Sequence, residues 1–298
     1  MHRDWIFEGL TPADIAPRAA EIAAAYAAHG MVVLPGLLTH DPAFNRYLAD
    51  IRYLLGRILA RHGQTVAPDE DLGDVIVRLK AIDPLAGRAV ADLGTQPNKY
   101  VSANQLKYAD YVVRLVRLAL GDDAVLATPQ AGDSLYFFMP GEFFHRYNLP
   151  VHQDYQYLMQ SPRQTTLYLG LSQPHDDAGG LEVWPGSQKL GVLACDKNEN
   201  DHYEVVGAER LLQGLSCERY RWQVGDLGLF DSLMCHRSIP NTSADHGRVV
   251  QIMRYSDLRD AEAERLDWMS TVYPRRGVTF AEANPELVQA PAPAARRA

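Results

Sequence analysis

The stretch Val151-His152-Gln153-Asp154-Tyr155 decides how this chain is read. In an extended backbone, side chains at i and i+2 share a face, so the His152 imidazole and the Asp154 carboxylate converge while Gln153 points away. The spacing therefore predicts a strand over Val151–Tyr155 that presents two donors to one metal ion. An imidazole nitrogen and a carboxylate oxygen suit divalent iron, manganese or zinc, whereas thiolates would indicate structural zinc or a cluster. A facial site of two His and one carboxylate needs a second His, and His236 supplies it downstream. Alone, a His-x-Asp tripeptide is common, and its structural reading is a strand-end His beside an unrelated surface Asp. The segments around it decide between the two.

From Ala124 to about Tyr255, short apolar segments alternate with Gly, Pro, Asn and Asp, the punctuation of β-structure. Besides Val151–Tyr155, strands are expected at Ser134–Met139, Thr165–Leu171, Leu181–Trp184, Leu227–Phe230 and Arg248–Tyr255, with weaker ones at Val125–Ala127 and Arg219–Gln223. About eight strands suffice for two packed sheets. The first 123 residues read instead as helices around a buried strand at Met31–Leu34. Thr11-Pro12 caps and opens a helix that runs to His29-Gly30. Pro42 to about His62 and Asp71–Ile82 carry apolar residues at helical spacing, and Gly121-Asp122 stops a helix at Tyr108–Leu120. Arg259–Trp268 reads as a short charged helix and Ala290–Ala298 as a frayed tail. The expected fold class is mainly β with flanking helices: a double-stranded β-helix (jelly-roll, cupin-like) core behind N-terminal helices. It forms one domain over 1–298, with 1–123 the helical front, 124–256 the core, and 257–298 a C-terminal helix and tail.

At 298 residues and 47% hydrophobic, the chain can bury a full core. The net charge of −8, with no long basic run, argues against a nucleic-acid backbone or an anionic membrane as partner. Cys195, Cys217 and Cys235 are an odd, widely spaced set, which implies neither a disulfide framework nor a thiolate zinc site. The start lacks an apolar leader, and no apolar run reaches the roughly 18 residues of a membrane span. The expectation is a soluble, cytoplasmic protein whose partner is a small molecule.

Downstream of the dyad come Gly179-Gly180-Leu181-Glu182-Val183-Trp184-Pro185-Gly186-Ser187-Gln188, then Gly225-Asp226-Leu227, then Cys235-His236-Arg237-Ser238, Asn241-Thr242-Ser243 and Arg248. In this order of motifs the chain resembles the phytanoyl-CoA dioxygenase family of Fe(II)/2-oxoglutarate-dependent oxygenases. The resemblance runs from about Ser134 to Tyr255, with a fainter echo at Ala25–Leu38.

That resemblance implies that His152, Asp154 and His236 bind Fe(II), with 2-oxoglutarate and O2 as co-substrates. It makes Arg248, assisted by the Ser238 hydroxyl, the partner of the distal carboxylate of 2-oxoglutarate, and it puts Tyr168 on the wall of that pocket. The physical chemistry is compatible, since a buried carboxylate requires a permanently charged, bidentate donor. The implied reaction is oxidation of a small organic substrate, by default hydroxylation, with release of succinate and CO2. Desaturation, ring closure or epimerisation would use the same residues.

Two positions depart from the family pattern. Phe137-Phe138-Met139 precede Pro140-Gly141 where many members carry a Lys or Asn, leaving Lys99, Asn104 and Tyr136 as candidates at the chelating end of 2-oxoglutarate. Gln188 replaces the usual His after Pro-Gly-Ser. Asp154 itself is kept, which leaves no open position for chloride and speaks against halogenation. Arg254 shares strand parity with Arg248, so it should face the same cavity as a substrate contact or a rim salt bridge. Together with His145, Arg146 and Arg163 near the strand ends, it leads us to expect an anionic substrate. His175, His202 and His246 lie in polar contexts and read as solvated, as His145 does apart from its closeness to the dyad.

Two other classes fit the triad. A non-oxygenase metal-dependent jelly-roll, such as an isomerase or hydrolase, needs the metal ligands but has no use for a buried Arg248. In a ligand-binding sandwich without catalysis, the triad is incidental.

Overall fold

The computed structural model describes residues 3–82, 93, 99–128, 134–139, 148–266, 268 and 284–287. Its strands are β1 (Met31–Leu34), β2 (Leu126–Ala127), β3 (Ser134–Phe138), β4 (Gln164–Gly170), β5 (Gly180–Val183), β6 (Cys195–Lys197), β7 (Tyr203–Val205), β8 (Glu218–Arg219), β9 (Leu227–Asp231), β10 (His236–Ile239) and β11 (Arg248–Asp257). The helices are α1 (Ala19–His29), α2 (Pro42–Ala60), α3 (Leu72–Ile82), α4 (Val101–Lys107), α5 (Asp110–Leu120), α6 (Ala208–Leu211) and α7 (Ala261–Arg265).

Local chemistry sets the helical front. Asp41 caps α2 by accepting from the Phe44 amide at 2.8 Å, and Pro42 occupies the first turn, where its missing N–H costs nothing. Phe44, Tyr47, Ile51, Leu55 and Ile58 then fall on one buried stripe. α1 ends where Gly30 takes φ +69 and returns its N–H to the Tyr26 carbonyl. That left-handed turn feeds the chain directly into β1, which is buried at every position.

One antiparallel sheet runs in the order β1-β9-β4-β11-β2. The long β11 also pairs along the first half of its free edge with β3, from Arg248 opposite Phe138 to Ile252 opposite Ser134. A smaller sheet, β10-β5-β8, faces it. Period-two alternation gives the large sheet two apolar faces. Val32, Leu34, Leu167, Leu169, Leu229, Val249 and Met253 pack against the helices, while Met31, Val33, Tyr168, Phe230, Val250 and Ile252 pack toward Leu181 and Val183 of the small sheet. Each such side chain contributes about 1.5–3 kcal/mol by leaving water. The result is the expected jelly-roll with helices in front, its second apolar face turned toward the small sheet.

Several local expectations change. Val151–Tyr155 is not a strand: only His152 bridges His236, and Asp154–Gln156 turn into a 3₁₀ helix. Glutamine 153 keeps its extended backbone (φ −113, ψ 137), so the two donors still converge, but the ladder stops there because Gln153 and Gln156 form a reciprocal cap. The first helix is split into a 3₁₀ turn at Pro12–Asp14 and α1. The helix read at Tyr108–Leu120 starts at Asp110, behind a separate α4. Arg219–Gln223 contributes only Glu218–Arg219, and the charged helix shortens to Ala261–Arg265. Strand β10 was not foreseen. The tail at Ala290–Ala298 lies outside the described residues. No described helix is long and apolar enough to cross a membrane.

Candidate metal centre

His152, Asp154 and His236 meet between the sheets, with their donor atoms within 4.8 Å of one another and all three side chains buried. Backbone pairing brings them together. The His152 amide donates to the His236 carbonyl at 3.0 Å and the reverse bond is 3.1 Å, which brings the two ring centres to 4.2 Å with the planes tilted by 54°. Asp154 Oδ1 lies 4.0 Å from His152 Nε2 and 3.8 Å from His236 Nε2. Gln153, fully buried, fixes the turn by donating to the Gly191 and Leu233 carbonyls while accepting from the Leu193 amide.

Both imidazoles are oriented as ligands. The Nδ1 of His152 is 2.7 Å from the Pro150 carbonyl, and that of His236 is 2.9 Å from the Met234 carbonyl. A carbonyl only accepts, so each Nδ1 carries the proton and each Nε2 offers a lone pair to the centre. His152 Nε2 is buried with no hydrogen-bond partner. Burial, and then the neighbouring His236 ring, push His152 down to about 3, so it stays neutral. For Asp154, burial alone would raise the carboxyl, but Arg254, followed by the two imidazoles, holds it well below the ordinary carboxylate range. Two imidazoles anchored through Nδ1, one ionised carboxylate and an orphaned buried Nε2 make a donor set that suits a divalent transition metal. The residues fit the iron that the resemblance implies.

A cavity of about 360 Å³ opens beside the triad. Strand parity lines it: Ser134, Tyr136 and Phe138 from β3, Val250, Ile252 and Arg254 from β11, and His236 and Ser238 from β10. Tyr168 lies at its wall, packed 4.5 Å from the Trp222 ring, and its hydroxyl accepts from Arg248 Nη1 at 2.9 Å. Arg248 is buried, with Nη2 donating to the Gly180 carbonyl at 3.3 Å and its guanidinium 4.2 Å from the centre of the Phe138 ring. Its Nε has no partner, and no acidic side chain among the described residues pairs with it. Burial lowers its pKa, the signature of a charge lacking a counter-ion.

The other sequence candidates divide. Arg254, read as a substrate contact or a rim salt bridge, forms a salt bridge that is buried rather than at the rim, giving its guanidinium to Asp154 with Nη2 to Oδ1 at 3.1 Å and Nε to Oδ2 at 3.2 Å. An external anion is therefore not needed to balance it. Arg163 lies on Asp257 and the Leu120 carbonyl and is not a cavity residue. His145 and Arg146 lie outside the described residues. Of the candidates for the chelating end, Tyr136 lines the cavity, while Lys99 and Asn104 do not. His202, read as solvated, is at the cavity wall. Gln188 donates to the Ala27 carbonyl, far from the triad in role. Sequence reasoning missed Thr166, whose hydroxyl donates to Asp154 Oδ2 at 2.6 Å, and Tyr157, whose ring meets that of His152 edge-on at 5.3 Å. The parity of Thr166 with Tyr168 on β4 was the available signal.

Among curated proteins no sequence match was found. Solved structures of similar fold include the epimerase SnoN in complex with Fe3+, alpha ketoglutarate and nogalamycin RO, with a TM-score of 0.54 and 16% identity over 81% of this chain and 84% of that one. The non-heme alpha ketoglutarate dependent carbocyclase SnoK from nogalamycin biosynthesis has a TM-score of 0.53 and 15% identity over 88% and 93%. AviO1 from Streptomyces viridochromogenes Tue57 has a TM-score of 0.50 and 16% identity over 80% and 95%. At these identities the likeness is one of fold. The phytanoyl-CoA dioxygenase (PhyH) family model matches residues 26–250, from α1 into β11. With most of its length inside that match, this chain belongs to the phytanoyl-CoA dioxygenase family.

Proposed function

We propose that the protein is an Fe(II)/2-oxoglutarate-dependent oxygenase that hydroxylates a C–H bond of a small organic substrate. The observation that carries this reading is Arg248, a buried guanidinium without an acidic partner among the described residues, held against Tyr168 and Phe138, which line the cavity that the triad with its orphaned His152 Nε2 opens onto. A metal isomerase or hydrolase gains nothing from such a buried charge, whereas a chelating diacid supplies its missing carboxylate.

In this reading His152, Asp154 and His236 hold the iron, which with 2-oxoglutarate and O2 supplies the oxidising chemistry for an unactivated C–H bond. The rest falls to the protein. Arg248, with Tyr168 and Ser238, binds the distal carboxylate and so sets the direction of the diacid in the cavity. Thr166 and Arg254 hold Asp154 in place, and the backbone carbonyls of Pro150 and Met234 hold the two rings. The walls of Tyr136, Phe138, Leu158, Leu181, Phe230 and Ile252 keep water from the reacting centre and favour a largely apolar substrate portion. Product analysis after turnover with Fe(II) and 2-oxoglutarate over a small-molecule panel tests the outcome. A gain of one oxygen atom supports hydroxylation. Loss of two hydrogens, or a product of unchanged mass, assigns the same centre to desaturation or epimerisation instead.

A further inference from the structure

We propose a second divalent-metal site, formed by His175, His246 and Asp74, for a borderline transition-metal ion such as Zn(II). None of the three lines the cavity of the first site. They come from three separate segments: Asp74 from the first turn of α3, His175 from the loop after β4, and His246 from the turn that leads into β11. Their donor atoms lie within 4.8 Å of one another, the same envelope as the buried triad, and each side chain is half-buried.

Three donors of the kinds that bind transition metals converge there. The two imidazole rings stack 3.5 Å apart with an interplanar angle of 5°, and His246 Nδ1 lies 3.0 Å from Asp74 Oδ1. One divalent ion bound through a nitrogen of each ring would give the two imidazoles and the Asp74 carboxylate a single shared partner. Two imidazoles and one carboxylate match Zn(II), Ni(II) or Cu(II) in preference to Mg(II) or Ca(II), which take oxygen.

The donors are also held in position. A Cβ at Gly73 would stand 2.2 Å from the Gly247 carbonyl oxygen, so two glycines allow α3 and the turn before β11 to touch through their main chains. The turn is braced from within: the His246 amide donates to Ser243 Oγ at 3.0 Å, and Asn241 Nδ2 donates to the His246 carbonyl at 2.8 Å. It is tied to the other loop by the Thr242 and Ser243 amides, both donating to the Asp177 carbonyl. Asp71 is occupied by the Gln173 and Gly73 amides, which leaves Asp74 as the carboxylate donor. An ion here cross-links the helical front to a residue two places before Arg248.

Zn(II) titrated calorimetrically into metal-stripped protein tests the proposal. The parent should take two equivalents, and His175→Gln and His246→Gln should each lose one, their affinity for it falling by at least about tenfold, the lower end of what loss of a supporting group costs a metal site. His236→Ala should keep the equivalent that those variants lose. Two undiminished equivalents in both His175→Gln and His246→Gln would overturn the site. A measurement on the parent alone guards against misfolded variants: Zn(II) should protect His175 and His246 from acylation by diethyl pyrocarbonate, and unchanged labelling of both would equally refute it.

Discussion

The Arg254 guanidinium lies across both oxygens of Asp154, at 3.1 Å to Oδ1 and 3.2 Å to Oδ2, with the Thr166 hydroxyl 2.6 Å from Oδ2. A carboxylate of the candidate metal centre is thus already neutralised by a buried arginine six residues beyond Arg248. Breaking such a pair leaves an uncompensated buried charge, which costs about 3–5 kcal/mol. Arg254→Gln should therefore lower the stability of the metal-free protein by that order. Divalent metal should restore more stability to this variant than it adds to the parent, because the ion supplies the missing charge. Denaturant titration with and without Mn(II) measures both; equal stabilities of the two apo proteins would show that the pair is not what holds Asp154.

Arg248 makes a different prediction. Lysine keeps the charge but loses the planar fork, so Arg248→Lys should weaken 2-oxoglutarate by about 1.5–3 kcal/mol, the value of a charge-assisted bond. Metal affinity should not change, since Arg248 bonds Tyr168 and the Gly180 carbonyl and none of the triad. An unaltered dissociation constant for 2-oxoglutarate would remove Arg248 from the site.

Gly228 tests how the wall behind Arg248 is supported. It sits opposite Tyr168 in the β4–β9 ladder, and a Cβ there would stand 2.2 Å from the Trp222 ring, which itself packs on Tyr168. Gly228→Ala should cost about 1–3 kcal/mol by overpacking and, by displacing Trp222 and Tyr168, weaken 2-oxoglutarate as well. A destabilised variant with parental 2-oxoglutarate affinity would separate Trp222 from the site.

Much of this arrangement was legible because it rests on short-range spacing. His152 and Asp154 converge across one extended residue, and Arg248 and Arg254 share a face of β11 by parity alone. What was not legible depends on register. Thr166 reaches Asp154 because β4 lies between β9 and β11, and Arg254 meets Asp154 from a strand 100 residues away in sequence. The 3₁₀ turn at Asp154 is set by the reciprocal cap of Gln153 and Gln156 and by the carbonyls of Gly191 and Leu233 that Gln153 reaches, none of which alternation encodes. Strand β10 escaped notice because four residues with a charged Arg237 carry too little pattern. The His175–His246 stack was invisible for a related reason: each lies in a polar loop, and α3 reaches them through tertiary contacts such as that of Gly73 with Gly247.

Asp231, at the end of β9, gives a pH prediction. Burial raises its carboxyl to about 6, against one lowering contact, the Leu233 amide. A carboxyl raised in the folded state favours the protonated form, so its contribution is fully present below about pH 4 and is lost as pH rises through about 6. A shift of this size is worth about 3 kcal/mol. Asp231→Asn keeps the acceptor for Leu233 and should gain about 1–3 kcal/mol over the parent at about pH 8, with the gain fading toward about pH 4. Denaturation midpoints for both proteins across that range decide it; a difference independent of pH would mean that Asp231 is not buried as a charge.

The proposed activity needs two things of this chain, that the His152–Asp154–His236 triad hold metal and that Arg248 hold the far end of a diacid. Calorimetric titration of 2-oxoglutarate into anaerobic Fe(II)-loaded protein tests both most directly, with the metal-free parent, His236→Ala and Arg248→Lys titrated beside it. The loaded parent should bind one 2-oxoglutarate per chain, the metal-free parent and His236→Ala none, and Arg248→Lys should bind it more weakly. Metal binding without any affinity for 2-oxoglutarate would contradict the proposed activity and assign the triad to another kind of jelly-roll enzyme.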